Sequence, residues 1–125
     1  MNNNEYLSED EVKGIIKEYL VGSGWDVEIA LGHKVGVDIN ARKDRKQWMI
    51  EVKGCGSRYQ MRRNYFYSVL GDILQRMNDE NVKYSIAFPK IDQFEKLWAN
   101  LPDLAKKRIS ITCLFVDFSG SVIEK

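Results

Sequence analysis

The stretch VDINARKDRKQWMIEVKG, residues 37–54, constrains this chain more than any other part of it. Val37, Ile39 and Ala41 alternate with Asp38, Asn40 and Arg42, and after a charged break Trp48, Ile50 and Val52 alternate with Gln47, Met49, Glu51 and Lys53. Two runs of period two around a short polar break read as a β-hairpin, here turning on Lys43 to Lys46. A four-residue loop pairs Arg42 with Gln47, and the same register carried onward sets Asp38 opposite Glu51. Directly opposed residues share a face with Cβ atoms about 4.5–5.5 Å apart, and Lys53 joins that face through the two-residue repeat. Like charges in opposition destabilise a sheet. Two carboxylates placed this way call for a cation, either Lys53 or a divalent metal.

The flanking segments supply a scaffold. Ser8 and Glu11 have capping-box spacing, Leu7 and Val12 have staple spacing, and Val12, Ile15, Ile16, Tyr19 and Leu20 follow a helical period up to Gly22 and Gly24. Trp25, Val27 and Ile29 alternate with Asp26 and Glu28, a first strand. A second helix is expected from Arg62 to Asn78, with Phe66, Val69, Leu70, Ile73, Leu74 and Met77 on one face and Gly71 allowing a close approach to the sheet. VKYSIAF is a short buried strand, open to parallel pairing. IDQFEKLWANL is a helix with Asp92 and Glu95 at capping-box spacing, Pro102 restarts or kinks it, and ISITCLFVDF is a last buried strand. The order αβββαβαβ in 125 residues, without repeats or linkers, is one α/β domain over 1–125.

An oxygen-rich carboxylate pair suits Mg²⁺, which keeps much of its water and shares substrate phosphates. Such an ion polarises a phosphoryl oxygen and lowers the pKa of a bound water, while Lys53 would orient or help deprotonate that water or stabilise developing charge. The segment Gly36-Val37-Asp38-Ile39 and, beyond the hairpin turn, Ile50-Glu51-Val52-Lys53-Gly54 resembles the signature of the PD-(D/E)XK nuclease superfamily, whose restriction-endonuclease-like fold has an αβββαβ core with a mixed sheet. The resemblance covers roughly Glu5 to Phe88, with a C-terminal helix and strand as an extension. It implies a nuclease acting on phosphodiester bonds, most naturally of DNA, in repair, recombination or restriction, with Mg²⁺ or Mn²⁺ as cofactor. Asp38, Glu51 and Lys53 are then the catalytic residues, and Asp38, Glu51 and the Val52 carbonyl the metal ligands. Many members have a glutamate in the first helix; Glu11 and Glu18 share a face there, and Glu11 is the preferred accessory residue, although capping accounts for it equally. Val37 stands where the family's proline is often found. Where small members carry a glutamine after a helical glycine, this chain has Asp72, with Gln75 a turn later.

The formal net charge of +1 conceals a local imbalance: residues 42–63 hold eight basic side chains against Asp44 and Glu51, a net of +6, while residues 1–28 carry a net of −5. Arg58, Arg62 and Arg63, following the proposed catalytic strand, are candidate contacts to a nucleic-acid backbone, as is Lys34 in the loop before Asp38. His33 is the only histidine, which removes two-histidine metal chemistry, and Cys55 and Cys113 lack metal-ligand spacing. Cys113 belongs to an apolar run; Cys55 lies between glycines. Trp25, Trp48 and Trp98 occupy apolar-face positions, while Tyr65 and Tyr67 flank the second helix's core stripe. No apolar run reaches the length of a membrane span and the start lacks the features of a signal peptide, so a cytoplasmic location is expected.

No separate specificity domain fits this length, so selectivity would come from a homodimer, a larger complex or recognition of DNA structure. The back half, a glycine-containing helix, AFPK, an aromatic-rich helix and an ending VDFSGSVIE, is similar to excision-controlling factors that share this fold. That resemblance implies the alternative to a nuclease: a non-catalytic nuclease-fold subunit, or a recombination accessory that binds DNA or a protein partner.

Overall fold

The computed structural model describes residues 3–31, 36–56 and 58–125; His33 and Lys34 lie outside that set. A 3-10 helix at Asn3–Tyr6 leads into α1 (Glu9–Gly22), followed by the strands β1 (Asp26–Ile29), β2 (Ile39–Lys43) and β3 (Lys46–Val52). A second 3-10 turn, Tyr59–Met61, opens α2 (Arg62–Arg76); β4 (Val82–Pro89), α3 (Asp92–Asn100), α4 (Asp103–Ile109), β5 (Ile111–Val116) and β6 (Val122–Glu124) complete the chain. The six strands form one mixed sheet in sequence order. β1, β2 and β3 are antiparallel neighbours, β4 and β5 run parallel to β3, and β6 turns back antiparallel. The two parallel steps are made by helices, as parallel pairing requires a long crossover.

Each face of the sheet has its own core. Val12, Ile16 and Leu20 of α1 pack with Ile39, Ala41, Trp48, Ile50 and Val52; on the other face Phe66, Val69 and Ile73 of α2 and Phe94 and Trp98 of α3 meet Tyr84, Ile86, Phe88 and Phe115. Alternation in β3 therefore divides Trp48, Ile50 and Val52 from Met49 and Glu51. The central β4 is buried along almost its whole length, which explains its continuous apolar run.

The start of α1 follows the expected chemistry: Glu11 N donates to Ser8 Oγ at 3.1 Å and Ser8 N donates to Glu11 Oε1 at 3.2 Å. Ser23 caps the other end, and Gly24 leaves it with φ 91°, a left-handed conformation that glycine adopts without strain. Four details depart from expectation. Tyr19 and Leu74 are exposed, lying at the edges of their helical stripes. Gly71 is exposed and a Cβ there would meet nothing within 4 Å, so it makes no close approach. Ile91 rather than Asp92 is the N-cap of α3, which puts Asp92 and Glu95 inside the first turn, where they favour the helix dipole without closing a capping box. Finally, the chain gains the edge strand β6, whose three residues are too few to show a period. Pro102 restarts the helix as α4, one of the two outcomes expected of it.

Candidate functional site

The hairpin register is the anticipated one: Arg42 pairs with Gln47 and Ile39 with Ile50. Lys43 and Lys46 also pair, so the turn tightens to Asp44 and Arg45, with Asp44 at φ 55°. One step before β2, Asp38 is tied to the end of β3, because Val52 N donates to Asp38 Oδ2 at 2.8 Å. The Asp38 and Glu51 carboxyl groups lie within hydrogen-bond reach of one another. Glu51 is 4 % exposed, and burial, then the hydrogen bond and charge of Asp38, push its pKa up to about 8 against the opposing pull of Arg76. Arg76 Nε of α2 donates to Glu51 Oε1 at 3.0 Å. Glu51 therefore keeps its proton to higher pH than an isolated carboxyl group does.

A lysine from the opposite side completes the cluster. Lys13 of α1 is 1 % exposed and its ammonium reaches Glu9 Oε2 at 3.1 Å, Asp38 Oδ1 at 3.3 Å and the Ala30 carbonyl at 2.5 Å. Burial lowers its pKa, but Glu9 and Asp38 outweigh that and leave it raised. Lys53 Nζ lies 3.6 Å from Glu9 Oε1 and 5.0 Å from the centre of the Tyr65 ring. Three carboxylates and three cations thus interleave along Lys53, Glu9, Lys13, Asp38, Glu51 and Arg76. Glycine makes this possible: a Cβ on Gly54 would overlap the backbone of Ser8 and Glu9, so only glycine lets the chain leaving β3 press against the first turn of α1.

Asp38 is brought to Glu51 and to the Val52 N–H, whereas the Lys53 ammonium lies against Glu9 and the Tyr65 ring and pairs with neither of those carboxylates. Glu11 is not with them: it closes the capping box, and Glu9, two residues earlier, faces Lys53 and Lys13. In α2, Asp72 and Gln75 are exposed and Arg76 is the residue that reaches the site. Arg62 is not displayed to solvent. It is 8 % exposed, its Nε donates to the Cys55 carbonyl at 3.1 Å, and its guanidinium lies 5.7 Å from the Tyr59 ring centre. Arg58 and Arg63 are exposed, Arg63 against Tyr67, and Lys34 falls outside the described residues. Cys55 is buried, its thiol donating to the Asn4 carbonyl at 3.2 Å; burial pushes its pKa up to about 11, which leaves it unreactive. Lys13, Glu9 and Arg76 escape a pattern reading, although Glu9 and Lys13 have the i,i+4 spacing of a helical ion pair and Arg76 follows Ile73 by three on the buried face.

Among the described residues no three His, Cys, Asp or Glu side chains are grouped to enclose an ion. Mg²⁺ does not require such a cage, since one or two carboxylates with waters and substrate phosphates suffice. The Asp38 and Glu51 pair, two carboxyl groups side by side, is a donor set that such an ion could use.

No protein-family model matches the sequence, and no curated protein matches it significantly. Two solved structures match nearly end to end. An XisH family protein from Nostoc punctiforme PCC 73102 is 18 % identical with TM-score 0.62, over 90 % of this chain and 96 % of that one. An fdxN element excision controlling factor protein from Anabaena variabilis is 17 % identical with TM-score 0.62, over 91 % and 96 %. At this identity the likeness is one of fold. Among the described residues, no helix is long and apolar enough to cross a membrane.

Proposed function

We propose that this chain acts on DNA as an accessory of excision or recombination, and that Asp38 and Glu51 form its divalent-metal centre within a restriction-endonuclease-like fold. The observation that carries the reading is the carboxylate pair at the end of the hairpin, Glu51 buried and Asp38 partly exposed, in a fold that aligns over 91 % of this chain with an excision controlling factor protein. Asp38 is held in position by the Val52 N–H and by Lys13, and Glu51 by Arg76, so both are fixed before any ligand arrives. Mg²⁺ or Mn²⁺ bound there supplies Lewis-acid polarisation of a phosphoryl oxygen and a point of attachment for a phosphate. The Val52 carbonyl stands in the same backbone stretch as a third oxygen. Arg58 and Arg63 are the exposed basic residues nearest in sequence for a phosphate backbone, and Arg62 has an inward role instead.

A second reading, hydrolysis of the phosphodiester by this chain alone, is favoured by Lys53. It follows Glu51 by two residues, keeps its ammonium partly exposed, and is steadied by Glu9 and the Tyr65 ring at a position suited to orienting a water or meeting developing charge. The two readings separate in one experiment. Supercoiled, linear, branched and single-stranded DNAs are assayed for binding and cleavage with Mg²⁺, using wild type, Asp38→Ala and Lys53→Ala. Cleavage abolished in both variants establishes the phosphodiesterase. Mg²⁺-dependent binding without cleavage, weakened in Asp38→Ala, leaves the accessory role, and absence of both binding and cleavage refutes the proposal.

A further inference from the structure

Behind the segment that follows β3 lies a cavity of about 300 Å³, at the small end of ligand pockets, which run to about 1,000 Å³. Its walls come from three places in the sequence: Glu5, then Tyr59 and Arg62 at the start of α2, and Asp92, Gln93 and Lys96 in the first turns of α3. It is separate from the carboxylate site, beside which Lys53, Glu9 and Tyr65 line a different hollow. Both hollows share the same entry to α2.

Two polar side chains that line this cavity decide what it can hold. Arg62 is 92 % buried, yet among the described residues it has only the Nε bond to Cys55 and the Tyr59 ring, and no carboxylate within 4.0 Å. Its two Nη groups keep contact with solvent and remain as donors. Gln93 donates from Nε2 to the Tyr59 carbonyl at 3.2 Å, which fixes its amide orientation and leaves Oε1 buried with no hydrogen-bond partner. It is the one such buried side-chain acceptor among the described residues. Unsatisfied buried groups are rare in folded proteins because each costs the desolvation it does not recover.

The ligand that answers both must offer an acceptor to Arg62 and a donor to Gln93. A simple anion meets Glu5 and Asp92, and a simple cation meets Arg62 and Lys96, so neither suits the mixed lining. A flat heteroaromatic ring with donors and acceptors along one edge suits it, and Tyr59, 65 % exposed at the mouth, supplies a stacking face. We propose that this cavity takes a single unpaired nucleobase, read along its hydrogen-bonding edge by Arg62 and Gln93 and stacked on Tyr59. The source of that base rests on the DNA-directed reading above; the chemistry of the cavity does not. In a DNA-acting protein the occupant is a base from a single strand or one turned out of a duplex.

The test measures anisotropy of a labelled single strand against the same strand made of abasic sites, which keeps the phosphates and removes the bases. The natural strand is expected to bind about tenfold or more tightly than the abasic one, within the range of one stacked base. Tyr59→Ala and Gln93→Leu are each expected to erase that difference while leaving the salt-dependent affinity for the abasic strand and the melting temperature unchanged. Equal affinity for the two strands, or variants that keep the preference, overturns the inference while leaving DNA binding intact. A second arm follows the Gln93 side-chain amide by NMR with free nucleosides and with inorganic phosphate. Shifts with nucleosides alone support the pocket even if no DNA binds, in which case the DNA-directed reading fails by itself. Shifts with phosphate alone, or with neither, overturn the pocket.

Discussion

Glu51 holds the most consequential single proton in the molecule. Its pKa rises from 4.5 to about 8 through burial and the adjacent Asp38, so between those values the folded chain binds a proton that the unfolded chain releases. Stability from this group is therefore full below about pH 4.5 and declines as pH rises toward 8. Without divalent metal, the wild-type melting temperature should fall by several degrees between pH 5 and pH 9 relative to Glu51→Gln, whose side chain does not ionise. Parallel melting curves of the two proteins across that range would contradict the raised pKa. Lys13 gives the complementary case. Truncation to alanine leaves Glu9 and Asp38 without their buried partner and should cost about 3–5 kcal/mol by urea denaturation. A loss below about 1 kcal/mol, the range of exposed ion pairs, would mean that the lysine is not engaged.

At the scale of elements, the hairpin was readable because period-two alternation and the register of its turn leave one face for Asp38 and Glu51. The α1 cap was readable for a similar reason: Ser8 and Glu11 are local and their bonds do not depend on the rest of the fold. Ser8→Ala should cost about 0.5–2 kcal/mol, and because the same turn carries Glu9 it should also loosen Lys53. What sequence pattern could not supply is the packing of α1 against the chain leaving β3. That contact explains why Glu9, rather than Glu11, meets the site, and it is made through Gly54, whose close approach to Ser8 and Glu9 depends on residues distant in sequence. Gly54→Ala should lower stability and separate Lys53 from Glu9, observable as a loss of Mg²⁺-dependent activity or affinity larger than the change in melting temperature explains. A fully active, equally stable variant would contradict the close approach. Arg76 was hidden differently: a cation at the end of a helix reads as a dipole partner, and only the crossing of α2 over β3 brings it to Glu51.

Across the whole molecule, charge counted along the sequence overstates the basic surface. Of the eight basic residues between 42 and 63, Arg62 turns inward, Lys43 donates to the Ser23 carbonyl at 2.8 Å, and Lys53 is engaged with Glu9. The exposed remainder around the entry to α2 is chiefly Arg58 and Arg63. DNA affinity should accordingly depend only moderately on salt, and Arg58→Ala with Arg63→Ala should lower the slope of log affinity against log salt by about two. A slope unchanged by both substitutions would place the phosphate contacts elsewhere. Binding of a divalent ion by Asp38 and Glu51 can be measured by calorimetric titration of Mn²⁺ at pH 7 in buffers of different ionisation enthalpy. Wild type should show one site and release about one proton as Glu51 ionises, and the site should be lost in Asp38→Ala and Glu51→Gln. Equal Mn²⁺ binding by the three proteins, or no binding by wild type, would contradict the Asp38 and Glu51 site.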